Sequence, residues 1–207
     1  MYTILVVDDN LYVVEVFVTM LEQGGYRTFA AYSGEECLEI LKSVTPDLLL
    51  LDIMMKPMDG WKTLEKIKED PATKDTPVLM LTSKQLTLTE VEKYGIFIED
   101  YVLKPLTNHE LYDVVDHVLH RRQTIRSATD RARRSGVDSD VVNEYALLSK
   151  SIDVNKHFLK ILESTYNLNS SKNDLIDNTF QALKKLDVNI RFQEGRLQQI
   201  REEIGAI

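Results

Sequence analysis

Four consecutive leucines, Leu48 to Leu51, stand between Asp47 and Asp52. The run shows neither the spacing of a surface helix nor the alternation of a half-buried strand, and Thr45-Pro46 precede it. A short unbroken apolar run of this kind suits a strand buried on both faces of a parallel sheet. It ends on a carboxylate. In open α/β sheets ligands bind just beyond the carboxyl ends of the strands, so Asp52 stands at the floor of a candidate site.

The chain on either side repeats one pattern. Residues 2–7 read as a buried strand that runs into Asp8-Asp9. Asn10 caps a helix with Tyr12, Val13, Val16, Phe17 and Met20 inward, and Gly24-Gly25 close it. Tyr26 to Tyr32 form a second strand. Ser33-Gly34-Glu35-Glu36 fit a capping box that opens a helix to about Val44. After the leucine strand a helix runs from Asp59 or Gly60 to Glu69. Val78 to Leu81 form a fourth strand ending at Thr82-Ser83, and Thr87-Leu88-Thr89-Glu90 open a helix that stops near Gly95. Tyr101-Val102-Leu103 form a fifth strand ending at Lys104-Pro105, and Thr107-Asn108-His109-Glu110 open the helix that follows. Strand then helix, five times over, predicts a parallel sheet with helices on both faces. The strand ends then deliver polar groups to one rim: Asp8-Asp9, Asp52, Thr82 and Lys104.

Charge divides the chain. Residues 1–120 hold 21 Asp and Glu against 10 Lys and Arg, and residues 121–207 hold 12 against 15. Two units with different surfaces are expected. Cys37 is the only cysteine, which excludes a disulfide framework and a cysteine metal cluster. No apolar stretch approaches the roughly 20 residues that span a bilayer, and the start has no basic leader. The expectation is a reduced, cytoplasmic protein without membrane insertion.

Carboxylates packed at one rim repel unless a cation joins them. An all-oxygen cluster suits a hard ion, and Mg²⁺ is the usual one where phosphate is handled. With such an ion Asp52 stays ionised and can attack a phosphoryl group, while Lys104 offers a point charge and Thr82 a hydroxyl. Taken singly, each of these residues is more often a cap, a turn or a strand terminus than a ligand.

Taken together they resemble the receiver domain of two-component response regulators, the CheY-like family, over residues 1 to about 120. The resemblance rests on Asp8-Asp9, Leu51-Asp52-Ile53-Met54-Met55 with Met58-Asp59-Gly60 behind it, Thr82-Ser83, and Tyr101-x-x-Lys104-Pro105. It implies a five-stranded, doubly wound, flavodoxin-like α/β domain. It implies that Asp52 is the phosphoacceptor, that Asp9, Asp52 and the Met54 main-chain carbonyl ligate Mg²⁺, and that Asp8 does so largely through water. Lys104 would pair with the phosphoryl group ahead of a cis bond to Pro105. Thr82 and Tyr101 would form the switch. The family usually places proline four residues after the phosphoacceptor, where this chain has Lys56 followed by Pro57. An altered loop is expected there.

Beyond Leu119 the fifth helix is not predicted to stop before Ser135-Gly136. Its residues 121–134 hold six arginines: Arg121, Arg122, Arg126, Arg131, Arg133 and Arg134. They read as a nucleic-acid patch or as a solvated connector, and the connector is preferred because charge runs are common on exposed helices. Ser139 or Asp140 then caps a helix to about Tyr166, with Val141, Tyr145, Leu148, Ile152, Leu159 and Leu162 in one stripe. A turn at Asn167 to Ser170 leads through Ser171-x-x-Asp174 to a last helix. Its stripe is Ile176, Thr179, Leu183, Leu186, Ile190, Gln193, Leu197, Ile200 and Ile204. These stripes predict an antiparallel, coiled-coil-like hairpin that buries its remaining apolar face on the fifth helix or on a second copy. Asn155 and Gln193 place one polar residue in each seam.

The domain expectation is a receiver over 1–120, a basic helical connector over 121–138 and a helical hairpin over 139–207. The functional expectation is a response regulator, a signalling component rather than a metabolic enzyme. It would take phosphate from a sensor histidine kinase and act through the C-terminal helices by homodimerisation or a protein partner. A DNA-binding regulator using residues 121–134 is the first alternative. A phosphorelay through His157, whose flanking residues faintly echo a phosphotransfer motif, is the second.

Overall fold

The computed structural model of the chain describes residues 1–166 and 174–205, in two compact units. The turn and the helix-opening motif expected over 167–173 lie outside the described residues. The first unit comprises Met1–Gln85 and Phe97–Leu119, and the second Leu86–Ile96 with the chain from His120 onward.

The first unit is built on five parallel strands, β1 (Thr3–Val7), β2 (Arg27–Ala31), β3 (Leu48–Leu51), β4 (Val78–Thr82) and β5 (Asp100–Leu103), in the order β2-β1-β3-β4-β5. The leucine run pairs with β1 on one side, Leu51 opposite Val7, and with β4 on the other, Leu51 opposite Met80. Both faces of these central strands are dry. Ile4, Val6, Leu48, Leu50, Leu79 and Leu81 pack with α1 (Leu11–Gln23) and the first turns of α5 (Asn108–Arg134). Their alternates Leu5, Val7, Leu49, Leu51 and Met80 point to the opposite face by the two-residue period of a strand and are equally buried. α2 (Gly34–Ile40) and α3 (Gly60–Glu69) pack against each other, with Trp61, Leu64 and Ile67 buried. Cys37 belongs to this interior; burial pushes its thiol up to about 12, so it stays protonated and acts as a small apolar residue.

Capping fixes where the helices begin. The Asn10 side chain accepts from Tyr12 and Val13 N–H, Ser33 from Glu36 N–H, and Asp59 from Lys62 N–H. The expected inward set of α1 holds for Phe17 and, partly buried against the core, for Val13 and Met20; it is corrected at Tyr12, which is 73% exposed, and it omits Val14 and Leu21, which complete the buried line. The cap at Asn10 sets the phase, and it leaves Tyr12, in the first turn, facing solvent. α2 also ends at Ile40, short of Val44.

The second unit holds α4 (Leu88–Tyr94), α5 from His120, α6 (Ser139–Tyr166) and α7 (Asp174–Ile204). α5 is one helix of 27 residues and carries Ala128 into a core with Tyr145, Ile152, Ile190, Leu197 and Ile200. Gly136, at φ 78, turns the chain after it. Ion pairs Glu144–Arg196 and Lys156–Glu194 run between α6 and α7; Glu144 meets Arg196 while Ser151, further along α6, meets Gln193, earlier on α7, so the helices are antiparallel. The seam residues Asn155 and Gln193 both donate to Ser151 Oγ, at 3.1 and 3.4 Å, and so meet through a third polar side chain.

Two expectations for α6 are corrected. Asp138 is its cap, its carboxylate accepting from Asp140 N–H at 2.7 Å. The helix also buries more than one stripe: Val142, Val154 and Phe158 are each at most 1% exposed. A helix touched on several sides has no single apolar line to read. Arg121, counted in the basic run, has its side chain only 9% exposed and is paired with Asp153.

Candidate functional site

The sheet order reverses between β1 and β3: β1 is followed by β2 on one side, and the chain then crosses to β3 on the other. The loops leaving these two neighbours splay apart, which opens a crevice at their carboxyl ends. Backbone hydrogen bonds extend the ladder into the site, so its residues inherit the register of the sheet. Asp8 N–H donates to the Ala31 carbonyl at 3.3 Å and Asp52 N–H to the Val7 carbonyl at 2.9 Å. Lys104 N–H donates to the Thr82 carbonyl at 2.8 Å.

Asp8 and Asp52, 5% and 6% exposed, share one cation. Lys104 Nζ donates to Asp52 Oδ1 at 2.8 Å and to Asp8 Oδ2. The remaining carboxylate oxygens are used by the backbone. Met54 N–H donates to Asp52 Oδ2 at 2.6 Å, and Asn10 N–H donates to Asp8 Oδ1 at 2.8 Å. Two nearly buried negative charges therefore face one positive charge. The deficit makes the crevice attractive to a further cation, or to a cation arriving with a phosphate.

Asp9 is exposed at the rim, and its Oδ2 accepts from Lys56 N–H at 3.0 Å. A proline at position 56 would lack that donor. The bond was not foreseen from the sequence, although the departure at Lys56 was its signal. The bonds Lys56–Pro57 and Lys104–Pro105 are both cis. Thr82 is fully buried, with its hydroxyl oxygen accepting from Lys84 N–H at 3.3 Å. Tyr101 is fully buried on β5, Met54 is 62% exposed, and His157 is half-buried on α6 in the other unit.

Asp8, Asp52 and Lys104 are thus brought into direct contact, and Asp9 and Met54 border them through the backbone. Among the described residues no three acidic, imidazole or thiol side chains form a preformed metal cage. The donors are all hard oxygens, however, and two are buried side by side, which is the donor chemistry Mg²⁺ takes. The sequence reading also passed over the reason for Gly60. A Cβ there would lie 2.0 Å from the Asp52 carbonyl oxygen, so the start of α3 is pressed against the backbone of the site.

The model of the response regulator receiver domain matches residues 4–116, and that described as Metanogen output domain 2 matches residues 121–206. Among curated proteins, the chain is 34% identical to the probable transcriptional regulator ycf27 of Cyanidium caldarium, over 58% of this chain and 47% of that protein. It is 32% identical to the phosphate regulon transcriptional regulatory protein PhoB of Pseudomonas aeruginosa, over 58% of this chain and 52% of that one. The chain therefore spans about half the length of these relatives. Among solved structures, the N-terminal domain of a response regulator receiver protein from Methanoculleus marisnigri JR1 is 66% identical, with a TM-score of 0.50 over 57% of this chain and 97% of that one. A two-component response regulator from Clostridium difficile is 27% identical, with a TM-score of 0.54 over 59% of this chain and 98% of that one.

Proposed function

Because the chain belongs to the response regulator receiver family, we propose that it is a phosphorylation switch in which Asp52 takes a phosphoryl group from a sensor histidine kinase. The observation that carries this reading is the Lys104 ammonium held between Asp8 and Asp52 at the carboxyl edge of the sheet. The carboxylate that Lys104 and Met54 N–H orient is the nucleophile. Its oxygen forms a bond to phosphorus as the phosphorus–nitrogen bond to the donor imidazole breaks, and the departing nitrogen keeps the electron pair. Mg²⁺, held by Asp8, Asp9, Asp52 and the Met54 carbonyl, would supply neutralisation of the phosphoryl oxygens. Lys104 remains beside the transferred group as a charge-assisted donor, and the Thr82 hydroxyl turns to donate to a phosphoryl oxygen, with Tyr101 following it. The output passes through the C-terminal helices, by contact with a protein partner or by dimerisation.

The test is labelling by a small phosphodonor in the presence of Mg²⁺. Asp52→Ala is expected to remove acid-stable, base-labile incorporation entirely, whereas the wild-type chain labels stoichiometrically. Label retained in the variant would overturn the assignment.

A second reading is favoured by the names of the relatives, which are transcriptional regulators. It would use the arginines of residues 121–134 on DNA, and its mark is duplex affinity that falls steeply with salt. The match to those relatives covers about 58% of this chain and about half of theirs. Arg121 is also already committed to Asp153. Protein-mediated output is the better supported reading.

A further inference from the structure

α7 carries two apolar lines. Leu183, Ile190, Leu197 and Ile200 are buried, the last three in the core shared with α5 and α6. On the opposite side of the helix Val188 is 65% and Phe192 76% exposed. One exposed apolar residue is ordinary on a protein surface. These two stand a turn apart on a face that the described residues leave open. Gly195, on the same line, has nothing within 4 Å, and Gln199 beyond it is exposed.

The charges flanking this line identify what covers it. Lys184 and Lys185 precede it and Glu202 and Glu203 follow it, all four exposed. Lys184 stands 18 residues from Glu202, and Lys185 the same 18 from Glu203. At 3.6 residues per turn that is about five turns, so each lysine shares a face with its glutamate, one such pair on either side of the apolar line. Both spans are centred at residues 193–194, beside Phe192. Within the chain these charges are only lightly used. Lys184 lies over the Phe180 ring at 4.4 Å, Glu202 accepts from Gln198 at 2.9 Å, and Glu203 helps to hold the Arg196 charge. A stripe that is positive at one end, apolar in the middle and negative at the other matches itself when turned end for end.

We propose that a second copy of the chain lies antiparallel along this outer face of α7. A two-fold contact needs a surface complementary to itself, with residue i on j and j on i. In the antiparallel pair Lys184 and Lys185 of each copy meet Glu202 and Glu203 of the other, and the two Phe192 rings meet near the axis. A parallel pair would set lysine on lysine and glutamate on glutamate. An aromatic anchor within a charged rim is also how protein interfaces are commonly built. The inference rests on the reading that output passes through the C-terminal helices, and it names the surface that dimerisation uses.

The experiment is the solution mass of the full chain by sedimentation equilibrium over a range of concentrations. The wild type is expected to move from the mass of one chain to that of two. Phe192→Ser is expected to weaken the dimer about tenfold or more. Lys184→Glu with Lys185→Glu, and separately Glu202→Lys with Glu203→Lys, are each expected to weaken it about tenfold, because the pairs across the two-fold become repulsive. All four substitutions in one chain restore every pair with its sign reversed, and affinity is expected to return to within about threefold of the wild type. The substituted side chains are exposed, so the fold is kept. Charge swaps that leave the dimer unchanged would overturn the pairing on α7 and leave dimerisation to another surface. A wild-type chain that stays monomeric up to about 1 mM would overturn the pairing and the dimerisation reading together, and hand the stripe to a different protein. Neither result touches Asp52, which phosphoryl labelling tests by itself.

Discussion

Lys104→Met is expected to lower stability by about 2–4 kcal/mol in metal-free buffer, and to make much of that loss recoverable with Mg²⁺. Asp8 and Asp52 are 5% and 6% exposed, and the Lys104 side chain that joins them is 13% exposed. With the ammonium gone, two nearly buried like charges face each other with only N–H donors as partners. Removing one member of a buried ion pair typically costs about 3–5 kcal/mol; the opening of the crevice to water places this case toward the lower end. A divalent cation reaching the same oxygens replaces the lost charge, so millimolar Mg²⁺ stabilises the variant more than the wild type. Asp8→Asn in the variant background is expected to recover stability, because it removes the repulsion rather than a favourable pair. Urea denaturation of the three proteins, each with EDTA and with Mg²⁺, reads all three effects. Equal stability of Lys104→Met and wild type in EDTA would show that Lys104 is not the cation the two carboxylates depend on.

The site was readable because strand ends are easy to recognise. An apolar run that stops on a polar or charged residue marks both a strand and the rim it reaches, and Asp8, Asp52, Thr82 and Lys104 each stop such a run. Capping chemistry was equally local: Asn10, Ser33, Thr87 and Thr107 each use their own side chain on nearby N–H groups, so a few residues suffice to predict them. What sequence could not supply were contacts between segments. Lys56 N–H on Asp9 and the pressure of Gly60 on Asp52 depend on how one loop folds back on itself. Helix faces failed for a related reason. α6 buries Tyr145 and Ile152 in a core shared with α5 and α7, and Phe158 against Gly95, so its apolar residues fall on more than one line. A stripe fitted to one neighbour necessarily omits the residues that meet another. The grouping of α4 with the C-terminal helices was hidden in the same way, since nothing local to Leu88–Tyr94 names the surface it packs on.

The same substitution at two glycines is expected to act in opposite directions. Gly60→Ala should cost about 2–4 kcal/mol, as overpacking against backbone does when nothing can rotate away. An added Cβ would sit 2.0 Å from the Asp52 carbonyl oxygen, and 2.8 Å from both the Asp52 carbonyl carbon and Ile53 Cα. All three are main-chain atoms, held by Asp52 N–H on the Val7 carbonyl and by Gly60 N–H on the Ile53 carbonyl at 2.9 Å. Relief requires the loop between β3 and α3 to open. That carries Met54 N–H away from Asp52 Oδ2 and disorients the nucleophile. Phosphoryl labelling per folded molecule should therefore slow by about tenfold or more, since a barrier change near 1.4 kcal/mol is enough for that. Gly195, in the interior of α7, meets nothing within 4 Å. Gly195→Ala adds no clash and gains helix propensity, so it should stabilise by about 0.5–1 kcal/mol and leave labelling as it was. Thermal or urea unfolding of the two variants beside the wild type, with labelling on the folded fraction, distinguishes the cases. If Gly60→Ala proved as benign as Gly195→Ala, the close seating of α3 against Asp52 would not be what shapes this site.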